Sequence, residues 1–131
     1  MDRYIYSIMP VSSDGSYRAK RVNLSSVADE FNLSVHFPLD RGLPEVGKEF
    51  DLPRVVNEIK RAALVLADLS LERPSCYYEL GLAQALNAKV GLIAKSGTNI
   101  HQAFGRNLVV EFDNLQEYAS AVRRILLNSE V

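Results

Sequence analysis

The sequence predicts an α/β fold: a single-domain, flavodoxin-like, doubly wound sandwich built on a five-stranded parallel sheet in the order 2-1-3-4-5. Three observations carry that prediction. Short apolar runs alternate with amphipathic stretches along the whole chain. Two of the runs, "ALVLADLS" and "KVGLIAK", are almost wholly apolar, the pattern of strands covered on both faces by helices. The length, 131 residues, is that of one domain whose core needs neither disulfide nor metal to hold it. Residues 1–131 are therefore expected to form one domain.

The elements follow in order. "YIYSIMPV" is rich in β-formers, stops at Pro10 and opens into the polar turn "SSDGSY", so it is the first strand and its loop. "YRAKRVNLSSVADEFN" brings Val22, Val27, Ala28 and Phe31 near helical spacing and is the first helix. "LSVHFPL" is a short second strand ended by Pro38, and "DRGLPEVGKEF" is a long connection with the reach of a lid or a partner surface. Asp51 is the expected N-cap of "LPRVVNEIKRA", where a proline in the first turn is tolerated and Val55, Val56 and Ile59 form the buried stripe.

"ALVLADLS" is the third strand, "RPSCYYELGLAQAL" the third helix and "KVGLIAK" the fourth strand. "IHQAFGR" connects to a fifth strand in "NLVVEF". "LQEYASAVRRILL" closes the chain as a helix with Leu115, Tyr118, Ala119, Val122, Ile125 and Leu126 on one stripe, leaving "NSEV" to fray. Alternation of this kind makes the crossovers right-handed and puts helices on both faces of the sheet.

Composition narrows the function classes. A formal charge of −1 gives no electrostatic reason to bind nucleic acid or an anionic membrane. The basic cluster Arg18, Lys20 and Arg21 reads as a solvated helix face rather than a phosphate contact. No apolar run approaches the roughly 20 residues that span a bilayer. One cysteine, Cys76, and an N-terminal stretch unlike a signal peptide make a cytoplasmic location the default expectation. "SSDGS" lacks the spacing of a P-loop or a dinucleotide fingerprint, and His36 and His101 have no second ligand at helical spacing, so neither a cofactor nor a metal site is expected. Cys76 has no histidine near it in sequence to act as a base, and a packed thiol is its simpler role.

In an open parallel sheet, ligands bind at the carboxyl ends of the strands where the strand order reverses, here between strands one and three. Leaving strand one, the chain offers Pro10, Ser12, Ser13, Asp14 and Gly15; leaving strand three, it offers Asp68 and Ser70. Glu79 lies within two turns of the following helix, on the arc of Cys76, Leu80 and Ala83. An enclosed carboxylate costs several kcal/mol unless paired, whereas a helix N-terminus returns about 0.3 to 1 kcal/mol, up to about 2 in favourable geometry. Glu79 is therefore paired with a cation, hydrogen-bonded by a group such as a tyrosine hydroxyl, or held protonated for a task. Two plainer readings stand beside these: Glu79 as a dipole partner with its head in solvent, and Asp68 as a cap of the turn after its strand.

"YIYSIMPVS", "ADLSLERPSCYYELGLAQAL" and "AFGRNLVVEFDNLQEYASAVRRIL" together resemble the nucleoside 2-deoxyribosyltransferase-like proteins and their TIR-like relatives. The likeness spans nearly the whole chain, and "ADLS…YYELGLAQAL" is its most specific part. The family's turn Gly-Arg-Asn-Pro-Asn is replaced here by Leu71, Glu72, Arg73, Pro74 and Ser75.

The resemblance implies a nucleoside or nucleotide pocket in which Glu79 acts on the glycosidic bond and Asp68 holds or protonates the base. The segment Ser12 to Gly15 would face the sugar or a 5′-phosphate, Tyr78 or Tyr6 would orient the glutamate, and the loop from Asp40 to Gly47 would close over the base. It also implies a homodimer or larger homo-oligomer whose neighbouring subunit completes the site. The reaction expected is N-glycosidic cleavage or 2-deoxyribosyl transfer, with NAD cleavage of the TIR type and a non-catalytic nucleotide sensor as the rivals.

Overall fold

Five parallel strands, β1 (Tyr4–Ile8), β2 (Ser34–His36), β3 (Leu64–Asp68), β4 (Val90–Lys95) and β5 (Val110–Phe112), lie side by side in the order β2-β1-β3-β4-β5. All four pairings are parallel, with Tyr6 opposite His36 on one side and Val65 on the other. Four helices complete the alternation: α1 (Tyr17–Glu30), α2 (Leu52–Arg61), α3 (Pro74–Ala85) and α4 (Leu115–Ser129). The computed structural model describes residues 3–10, 15–38, 51–101 and 103–131. The architecture is the flavodoxin-like, doubly wound sandwich.

The sheet divides the interior into two cores. One holds Ile5, Leu64, Leu66, Ile93 and Phe112 under Leu24, Val27 and Ala28 of α1 and Tyr118, Val122 and Ile125 of α4. The other holds Tyr6, Ile8, Val65, Ala67 and Leu92 under Val55 and Ile59 of α2 and Cys76, Leu80 and Ala83 of α3. Successive strand residues project to opposite faces, so along β3 the even positions meet α1 and α4 and the odd positions meet α2 and α3. Every residue of β3 is buried, as a strand covered on both sides requires.

Local chemistry fixes the helix ends. The Asp51 carboxylate accepts from the Arg54 amide at 3.2 Å, capping α2 with Pro53 in its first turn. Asn114 Oδ1 accepts from the Glu117 amide at 2.9 Å while Glu117 Oε1 accepts from the Asp113 amide at 2.8 Å, a reciprocal pair that starts α4. Gly91 of β4 faces α4 so closely that a Cβ there would meet Ile125 Cγ2 at 2.4 Å. A side chain at this position would force Ile125 to move.

Three expectations are corrected. Val22 is 67% exposed, and the buried stripe of α1 is Lys20, Leu24, Val27 and Ala28. Leu115 is exposed at the start of α4 rather than part of its buried stripe. The C-terminal residues do not fray: α4 runs on to Ser129, whose carbonyl accepts from Lys89 Nζ at 2.7 Å, Glu130 closes the helix in a left-handed conformation and Val131 packs against the first core.

Candidate functional site

The site is built around the second core, at the middle of β1 and the end of β2. Tyr6 projects from β1 towards α2 and α3 and is fully buried. Its hydroxyl donates to Glu79 Oε1 at 2.8 Å. Glu79 lies on the inward side of α3, three residues beyond Cys76 and four before Ala83, and is half-buried. The carboxylate thus has one oxygen tied to the sheet and is partly open to solvent. A charge-assisted bond of this kind fixes a side chain that would otherwise sample several rotamers.

His36 ends β2 on the same face. Its ring stacks on Tyr6 with centroids 5.5 Å apart and an interplanar angle of 29°, and it tilts against Tyr4 at 5.8 Å. His36 Nε2 lies 2.6 Å from Glu58 Oε2 of α2, an ionic contact outside the alignment of a good hydrogen bond. Arg54 Nε donates to the other Glu58 oxygen at 3.0 Å, and the Tyr4 hydroxyl donates to the Glu58 carbonyl. Burial, then the Glu58 carboxylate, push the Tyr4 hydroxyl above its ordinary range.

Asp68 belongs to the opposite side. It occupies an even position of β3 and therefore points to the α1 and α4 core, while Glu79 serves the α2 and α3 core. One oxygen of Asp68 accepts from Lys20 Nζ at 2.8 Å and the other from the Ser70 amide at 2.9 Å. Ser70 Oγ in turn accepts from the Lys95 amide at 2.9 Å, tying the ends of β3 and β4 together. Lys20 Nζ also stands 5.1 Å from the Phe112 ring centroid and 5.9 Å from that of Tyr118. Both members of the pair are almost completely buried.

Asp68 thus accepts on both oxygens, one from Lys20 and one from the Ser70 amide. Its turn-capping role is present, with a buried lysine added to it. Lys20 corrects the reading of a solvated basic face: Arg18 is exposed, and Arg21 stacks over Phe37 at 4.2 Å, but Lys20 faces the core. Its signal was in the spacing, because Lys20, Leu24, Val27 and Ala28 recur at the intervals of one helix face.

Of the remaining candidates, Pro10 is buried just beyond β1, Gly15 is exposed before α1 and Tyr78 is exposed on α3. Ser12, Ser13, Asp14 and Asp40, with the loop that follows Asp40, lie outside the described residues. Cys76 is pushed up to about 12, first by burial and then by the Glu79 and Asp68 carboxylates, so its thiol stays protonated.

Among the described residues no three His, Cys, Asp or Glu side chains cluster as a metal site, and no helix is long and apolar enough to cross a membrane. A groove at the β5 edge, lined by Leu92, Phe104, Leu108 and Arg124, contains neither Glu79 nor Asp68.

No protein-family model and no curated protein sequence matches the chain. Among solved structures it is similar to the CMP N-glycosidase of Clostridium botulinum, BcmB, at a TM-score of 0.63 and 16% sequence identity, covering 90% of this chain and 96% of that one. At that identity the likeness is one of fold.

Proposed function

We propose that this chain cleaves the N-glycosidic bond of a nucleoside or nucleotide, with Glu79 as the carboxylate at the anomeric carbon. The observation that carries the reading is the bond from the buried Tyr6 hydroxyl to a half-buried Glu79. Departure of a base leaves an oxocarbenium-like sugar, which a fixed carboxylate beneath the ring stabilises or captures covalently. Tyr6 holds the carboxylate aimed at the sugar. Water then completes hydrolysis, or a second base completes 2-deoxyribosyl transfer.

The "YYELGLAQAL" segment supports the same assignment through its resemblance to the deoxyribosyltransferase-like proteins, and the structural neighbour is a CMP N-glycosidase. In this reading the segment Ser12 to Gly15 serves the sugar or a 5′-phosphate, and the loop from Asp40 to Gly47 serves the base. Asp68 enters as the post that fixes the end of β3 rather than as the acid. Assembly into a homodimer or larger oligomer belongs to the proposal.

Chromatography of free base from a panel of nucleosides, deoxynucleosides, nucleoside 5′-monophosphates and NAD tests the reading. The native protein releases base from at least one of them. Glu79→Gln lowers that rate by about 10³-fold, with ligand affinity preserved. Release from NAD alone assigns the chain to the TIR-like chemistry instead. The engagement of Asp68 by Lys20 favours one second reading, a module that binds a nucleotide without cleaving it. Ligand binding with no base release from any member of the panel selects that alternative.

A further inference from the structure

We propose that His36, backed by Glu58, is the proton donor to the departing base. The inference rests on the N-glycosidase reading of Glu79 and supplies the acid which that reading lacks once Asp68 is committed to Lys20 on the other side of the sheet. Three observations converge on His36. It is on Glu79's side of the sheet, joined to it through Tyr6: the imidazole stacks on the phenol ring whose hydroxyl holds Glu79. It carries a carboxylate partner, with Nε2 enclosed and 2.6 Å from Glu58 Oε2. Its side chain is nevertheless 32% exposed, so the open part of the ring lies away from Nε2, and Nδ1 is the nitrogen left for a ligand.

An imidazole with one nitrogen against a carboxylate and the other towards a ligand has the arrangement of a general acid and base. The described groups that face it are Tyr4 and Tyr6 from β1 and Glu58 from α2, with Arg54 behind the glutamate and Arg61 near Tyr4. Position also suits the task, because His36 ends β2 and the chain enters the β2–α2 connection two residues later.

The step balances without a further reactant. As the bond between the anomeric carbon and the base nitrogen breaks, its electron pair stays with the base. The imidazolium gives its Nδ1 proton to the base and becomes neutral. Water then adds at the anomeric carbon and returns one proton to Nδ1, leaving free base and free sugar.

Two substrates separate this role from a merely structural one: the nucleoside or nucleotide of that panel that the native protein cleaves fastest, and p-nitrophenyl β-D-ribofuranoside, whose nitrophenolate leaves without protonation. His36→Phe keeps a ring on Tyr6 but removes the proton. It is expected to lower kcat on the panel substrate by about 10²–10⁴-fold, with little change in KM, and to abolish the fall in rate on the alkaline side of the pH profile. Cleavage of the nitrophenyl riboside is expected to survive. His36→Gln repeats the test with a polar side chain.

Equal losses on both substrates, or cleavage of the panel substrate that dies with Glu79→Gln yet persists in both His36 variants, overturn the role of His36 alone. A native protein that cleaves neither substrate overturns the glycosidase reading and the donor with it.

Discussion

Lys20 and Asp68 form a buried pair whose loss should be felt more than that of any surface charge. Attraction between two enclosed charges offsets their desolvation only while both are present. Removing one leaves the other without compensation in a core of Leu66, Phe112 and Tyr118. Lys20→Met is therefore expected to lower the unfolding free energy by about 3–5 kcal/mol, read by urea denaturation at neutral pH. Adding Asp68→Asn should restore part of that loss. Asparagine is neutral, and its side-chain oxygen can still accept from the Ser70 amide that Asp68 now binds. If the double variant is no better than Lys20→Met, the cost lies in the packing of the lysine stem rather than in an orphaned charge.

At the scale of elements, the connection from β3 to α3 carries visible strain. Leu71 adopts φ 67° inside the short 3-10 turn Ser70–Glu72, a left-handed conformation that crowds the Cβ of any L-residue. Leu71 is 49% exposed and gains little from burial there. Relief of the left-handed penalty is worth roughly 1–2 kcal/mol, and glycine returns roughly 0.5–1 kcal/mol through the entropy of the unfolded chain. Leu71→Gly should consequently stabilise the protein by up to about 1 kcal/mol, seen as a higher Tm; a lower Tm would show that its partly buried stem matters more than its backbone.

The strand and helix order was legible because apolar runs and amphipathic stretches alternate without interruption. Which face each β3 residue takes was not. A strand covered on both sides is apolar at every position, so "LVLAD" has no polar alternation to mark its faces. For that reason Asp68 and Glu79 look like neighbours in the sequence and stand on opposite faces in the fold. Lys20 was obscured for a different reason: its charge outweighed a spacing that placed it with Leu24 and Val27. His36 could be paired with Tyr6 only through the parallel register of β1 and β2, a long-range fact.

At the scale of the whole molecule, two hydrogen-bonded charge systems leave opposite faces of the sheet, and the Cys76 thiol feels a carboxylate from each. Lys20, Asp68, Ser70 and Lys95 bind α1 to the ends of β3 and β4, whereas Glu79, Tyr6, His36 and Glu58 bind α2 and α3 to β1 and β2. None of the hydrogen bonds that define the first set involves a member of the second. Double-mutant cycles on unfolding free energy test that separation. Tyr6→Phe combined with Glu79→Gln should show a coupling of about 0.5–3 kcal/mol, because each change removes the same hydrogen bond. Tyr6→Phe combined with Asp68→Asn should be additive within about 0.3–0.5 kcal/mol, because the two side chains leave opposite faces of the sheet. Strong coupling in the second cycle would place Asp68 in Glu79's network despite its face, and would return it to candidacy as the acid in place of His36.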